Sequence, residues 1–190
     1  RSELHEILVA GPGGIQVAAG RWASLDAVEA RPAAQHRLID QLGRLGGHVD
    51  VVIVDVGCDV GLTSQQYWQA ADRVLLVTTT HQVAVMDAYA AIKLAGTKCQ
   101  HPNVDLVLNQ LSGSDDVHAL HQRIDLSCRR FLDISVGLSG SIPSDQHLTE
   151  AIRHRLPVMA HAPESASAKA FEEIAMRLAE CTELSRVAAA

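Results

Sequence analysis

The sequence predicts an α/β fold, a doubly wound, mostly parallel sheet with helices on both faces. Two observations carry this expectation. Short, continuous apolar runs alternate with longer segments whose apolar residues fall at helical spacing, the order that right-handed β–α–β crossovers produce. The apolar residues are also aliphatic: 47% of the 190 residues are hydrophobic and only 3% aromatic, which suits strands buried on both faces by helices. A chain of this length is expected to form one domain over residues 1–190, with a core that needs neither disulfides nor metals.

The N-terminal part is the least regular. Leu4 to Val9 leads to the turn Gly11-Pro12-Gly13-Gly14, then to a short strand from Ile15 to Ala18 and a helix from Gln35 to Leu45. The clearest strand is Val49 to Val54, apolar except at Asp50, which reads as buried on both faces and ends at Asp55. Thr63 to Ala71 is expected to be helical, Arg73 to Thr78 a strand that stops in three threonines, and Val85 to Leu94 a helix closed by Gly96. A third buried strand, Val104 to Leu108, ends at Asn109. Ala119 to Phe131 then forms a helix with Leu120, Ile124, Cys128 and Phe131 on its apolar stripe and Arg123, Arg129 and Arg130 on the wet side. Ser135 to Ile142 is a glycine-containing strand ending at Pro143, and helices over Leu148 to Arg155 and Ala166 to Leu184 complete the alternation.

The formal charge of −6 comes without a concentrated basic run. Arg129-Arg130 and Arg153/Arg155 are the densest clusters, too sparse for binding nucleic acid by counterion release. The four cysteines, Cys58, Cys99, Cys128 and Cys181, form no C-x-x-C pair, so reduced and mostly buried thiols are expected. No signal segment or bilayer-long apolar stretch is seen, so a cytoplasmic location is expected. The chain starts at Arg1 rather than methionine, and is expected to be the C-terminal part of a longer protein.

In open α/β sheets ligands bind beyond the carboxyl ends of the strands. Asp55-Val56-Gly57 at one such end reads two ways: a carboxylate holding a Mg²⁺-shell water with a glycine beside a γ-phosphate, or an aspartate capping the next helix. Asn109 can present its amide to a purine edge or form a turn. Ile142-Pro143-Ser144-Asp145 can run a rigid backbone along a base, or is proline turn chemistry. Gly11-Pro12-Gly13-Gly14 is a turn and not a phosphate loop. The three lysines, Lys93, Lys98 and Lys169, all lie outside any Gly-Lys-Ser/Thr context. Of the ten histidines only His118 and His121 share helical spacing, and they lack a third ligand, so a solvated helix face is expected there.

Taken in order, these segments resemble the MinD/ParA branch of P-loop ATPases, and most of all its FlhG group of flagellar-number regulators. VDVVIVDVGCDVG resembles the family's second switch, ADRVLLVTTTHQVAVMDAYAAIK its next strand and helix, LVLNQ the strand whose Asn meets adenine, and SIPSDQHLTEAIRHRLPV the segment flanking the base. The resemblance implies ATP or ADP with Mg²⁺ as cofactors. Asp55 would hold Mg²⁺ through water and serve catalysis, Gly57 would face the γ-phosphate, and Asn109, Pro143 and Asp145 would surround adenine. It also implies a nucleotide-dependent homodimer acting on a flagellar or cell-division partner. His81-Gln82-Val83 departs from the family pattern, and so does Asp59, whose extra carboxylate would repel a γ-phosphate. Without a phosphate loop the chain is expected not to hydrolyse ATP, which leaves a second reading as an interaction module that binds no nucleotide. The family's first strand and helix have no counterpart in the sequence, and the apolar surface beside them is expected to lie uncovered. Membrane contact through the last helix is not expected, because Glu172, Glu173, Glu180 and Glu183 make it acidic.

Overall fold

The computed structural model describes residues 4–19, 32–45, 48–58, 60–97 and 103–188. Asp59, Lys98 and Cys99 fall outside the described residues. The chain divides into two compact units, Arg1–Ala70 and Ala71–Ala190.

In the first unit a 3₁₀ turn, Leu4–Ile7, precedes strand β1, Leu8–Ala10, which pairs antiparallel with β2, Gln16–Ala18. The glycine turn joins them through a hydrogen bond from the Gly11 N–H to the Ile15 carbonyl at 2.8 Å. Two helices follow, α1 (Pro32–Leu45) and α2 (Leu62–Ala70), tied together by Gln35 Nε2 donating to Thr63 Oγ1 at 2.7 Å.

The run expected to be the clearest strand is not one. Residues 51–56 carry no ladder, Val49 and Val51 to Val54 are all exposed, and Ile53 is 88% so. An apolar run becomes a strand only when a neighbour satisfies its backbone groups, and among the described residues none pairs with it.

The second unit holds the predicted parallel sheet, in the order β3 (Val74–Thr78), β4 (Val104–Leu111), β5 (Val136–Pro143). Helix α3 (Gln82–Gly96) connects β3 to β4, and α4 (Val117–Leu132) connects β4 to β5. Then come α5 (Gln146–His154), the short α6 (Val158–His161) and α7 (Ala166–Ala188). Alternation along β4 builds both sides of the sheet. Val104, Leu106 and Leu108 meet Ile92 of α3 and Leu120, Ile124 and Cys128 of α4 on one face. Val107 meets Ala170 and Ile174 of α7 on the other. Burial drives the Cys128 thiol up to about 11, with Asp125 adding to the shift, so it stays protonated. Two expected core residues lie outside: Phe131, past the last buried turn of α4, is 68% exposed with the Arg130 guanidinium over its ring, and Cys58 is exposed.

At Gly140 α7 packs tightly on the sheet. A Cβ there would stand 2.5 Å from Cγ1 of Ile174. The one charge within the strands, Asp105, is buried beside Arg73 with which it pairs, and also accepts from Ser139 Oγ at 3.1 Å. Such a pair is tolerated because each partner offsets the other's desolvation. Ser139 reaches it through a bulge: Leu106 faces Leu138 and Val107 faces Gly140, which leaves Ser139 unopposed.

Candidate functional site

A second irregularity lies at the carboxyl ends of β4 and β5. Leu108 faces Ser141 and Leu111 faces Pro143, so Asn109 and Gln110 oppose a single residue of the neighbouring strand. The strand predicted to end at Asn109 therefore runs on to Leu111, kinked by Gln110 at φ 58°. Asn109 Oδ1 accepts from the Gln110 N–H at 2.8 Å, which supports that left-handed residue and leaves the side-chain NH₂ as the group to offer a ligand. The Ser144 N–H donates to the Leu111 carbonyl at 2.9 Å, fastening the Pro143 turn beside the bulge. Asn109 and Pro143 thereby lie near the same end of neighbouring strands. Bulges of this kind often re-aim a side chain beside a binding site.

Asp145 follows that turn, and both of its oxygens have partners. Oδ1 accepts from the His147 N–H at 2.8 Å and caps α5. Oδ2 accepts from the Ser167 N–H at 2.9 Å and from Ser167 Oγ at 2.8 Å, in the first turn of α7. The Ser167 N–H and hydroxyl, then the His147 N–H, hold the carboxyl below the ordinary aspartate range. The Ser-Ala-Ser stretch at Ser165 to Ser167 was not read from the sequence as part of this arrangement. Hydroxyl residues opening a long helix were the available signal. The Ser165 Oγ accepts from the Ala168 N–H at 3.2 Å, and Ser167 is wholly buried. On the neighbouring strand end, buried Thr78 donates to the Ala84 carbonyl at 3.0 Å and fixes the entry to α3.

In the first unit Asp55 and Gly57 form a turn of their own. Asp55 Oδ1 accepts from the Gly57 N–H at 2.9 Å, and Gly57 sits at φ 71°, a conformation glycine adopts without strain. Asp55 is exposed and does not cap α2, whose first residue is Leu62. His121 is occupied structurally, with its Nε2 2.8 Å from the Val136 carbonyl.

Residues 24–179 match the ParA family model, described as NUBPL iron-transfer P-loop NTPase. The chain belongs to the ParA family of P-loop NTPases. This ParA chain is 26% identical over 178 residues to the antiactivator FleN of Pseudomonas aeruginosa, an alignment covering 94% of the chain and 64% of FleN. It is 26% identical over 143 residues to the flagellum site-determining protein YlxH of Helicobacter pylori, covering 75% of the chain and 48% of YlxH. The chain thus spans just under two thirds of the one relative and about half of the other. Its fold is that of MinD. The cell division ATPase MinD of Pyrococcus furiosus aligns with a TM-score of 0.76 at 19% identity, over 95% of this chain and 72% of that one. The septum site-determining protein MinD of Pyrococcus horikoshii, complexed with Mg-ADP, aligns with a TM-score of 0.73 at 18% identity, over 93% and 69%. No described helix is long and apolar enough to cross a membrane.

Proposed function

We propose that this chain is part of an ATP-switched spatial regulator of the MinD/ParA type, which sets flagellar number or placement, or the site of division, through nucleotide-controlled dimerisation. The observation that carries the reading is the placement of Asn109 and Pro143 near the carboxyl ends of the neighbouring strands β4 and β5, in a chain that matches ParA. The name of YlxH, a flagellum site-determining protein, supports the process, and the MinD complex with Mg-ADP supports the ligands.

In this reading Asn109 gives an Nδ2–H to the purine edge, while the Gln110 N–H bond to its oxygen holds the amide in place. Pro143 lays a rigid backbone along the base, and Asp145 holds that loop in place by its bonds to α5 and α7. The family resemblance further implies that Asp55 would hold a water of the Mg²⁺ shell and that Gly57 would face the γ-phosphate. Bound ATP and Mg²⁺ would supply the phosphoryl group and its neutralising charge. Phosphoryl transfer depends on lysine and hydroxyl groups around the phosphates, and the 190 residues contain no Gly-Lys-Ser/Thr. The chain by itself therefore does not hydrolyse ATP. That same lack favours the second reading, a ParA-fold interaction module that binds no nucleotide.

Calorimetry with ATP and ADP in Mg²⁺, on this chain and on a longer version carrying a Gly-Lys-Ser/Thr loop, separates the two readings. Binding and hydrolysis by the longer version alone are expected, with affinity weakened by Asn109→Asp. A longer version that binds neither nucleotide would overturn the switch and leave the interaction module.

A further inference from the structure

We propose that the turn joining α5 to α6 docks an acidic amphipathic helix of a partner protein. The inference rests on the Ala71–Ala190 unit alone and does not depend on nucleotide.

The turn faces two ways. Inward, Ala151, Val158 and Ala168 form a buried cluster that fixes it to α7. Outward, Ile152 is 68% exposed, Leu156 50% and Met159 44%, three apolar side chains close in sequence that no described element covers. Exposed apolar side chains gathered within a polar rim are a mark of protein contacts. Here the frame is cationic: Arg153, His154 and Arg155 are all exposed, and the His154 and His161 rings stack at 5.4 Å.

The two guanidiniums have no ion pair among the described residues. The nearest carboxylates in sequence are already engaged, Glu150 by Gln146 Nε2 at 3.0 Å and Glu164 by Lys169 Nζ at 3.1 Å. In a chain of charge −6 this leaves a local cationic surface awaiting carboxylates.

The backbone adds a separate observation. The helix ends with the Arg155 N–H donating to the Ile152 carbonyl and the Leu156 N–H to the Ala151 carbonyl, both at 3.0 Å, with Arg155 at φ 56°. That is the position glycine fills without strain. An exposed arginine held there bears a conformational cost.

The occupant follows from charge complementarity. Planar guanidiniums engage carboxylates through paired hydrogen bonds, and the apolar residues flanking them suit a helix with acidic and aliphatic side chains on one face. An anionic membrane fits less well, because segments that hold one carry clusters of about four to eight cations and this turn has two arginines.

The test uses a fluorescein-labelled synthetic helix with Glu and Leu on one face, and its counterpart with Lys for Glu, read by anisotropy against the whole chain. The Glu peptide is expected to bind and the Lys peptide not. Arg153→Glu with Arg155→Glu should weaken binding about tenfold or more, as loss of a central charged anchor does. Arg155→Gly should weaken it severalfold while the melting temperature rises, which separates docking from folding. Equal binding of both peptides, or variants that bind like the parent chain, would overturn the proposal. Capture by phosphatidylglycerol vesicles without peptide binding would overturn it in favour of a lipid surface. Self-association lost in the Glu variants, seen by sedimentation, would overturn it in favour of a second copy.

Discussion

At the scale of single residues, Asp145 carries the most structure for its size. Its carboxyl is held below the ordinary aspartate range by the Ser167 N–H and hydroxyl and by the His147 N–H. A depressed folded-state pKa means that the unfolded chain binds the proton more tightly. The stabilisation is complete above the ordinary aspartate range and is lost as pH falls through the lowered folded value. Asp125 behaves alike: its partial burial raises it, but the Val136 N–H and Arg129 outweigh that and leave it low. Asp145→Asn is therefore expected to melt below the parent chain at neutral pH, with the gap closing in acid, as circular dichroism melts across pH would measure. Arg155 illustrates the opposite case, a residue at odds with its backbone. A left-handed conformation costs an L-residue roughly 1–2 kcal/mol, partly offset by the entropy glycine loses on folding, so Arg155→Gly should stabilise by about 0.5–1 kcal/mol in urea unfolding.

At the scale of elements, the contact between α7 and β5 depends on a residue with no side chain. Gly140→Val would push Ile174 off the sheet, and overpacking of this kind costs about 1–3 kcal/mol. The measurement is the urea midpoint, with a Gly140→Val, Ile174→Ala double variant expected to recover part of the loss. The elements of this half were largely legible in the sequence. The Leu120, Ile124 and Cys128 stripe fixed the buried face of α4, and Asp116, which caps it through the Ala119 N–H, begins it two residues before the apolar pattern suggested. Val49 to Val54 misled because periodicity reports which residues avoid water, whereas a strand also needs a partner for its backbone, and that information is not local. Bulges escape the same reading: nothing in Val-Asp-Leu-Val-Leu-Asn-Gln announces that Asn109 sits in a kink. That Asn109 lies near the carboxyl end of β4 was readable, but the bulge that engages its amide oxygen was not, since that depends on Gln110 at positive φ.

At the scale of the molecule, the three buried clusters all lie within Ala71–Ala190. A fragment of that unit is expected to fold with one cooperative thermal transition and native-like circular dichroism. A fragment that shows a broad, sloping melt would mean that the sheet draws its stability from elsewhere in the chain. The family was legible because its signals come as an ordered series along the chain, each weak alone. The site was legible only as positions, because capping bonds such as those of Asp145 join segments far apart in sequence. That shared carboxylate also means that the first turns of α5 and α7 have one latch between them. Opening it would free the His147 and Ser167 amides in a single event, so their protons should exchange with deuterium at a common rate, as one local unfolding unit rather than as two fraying helix ends.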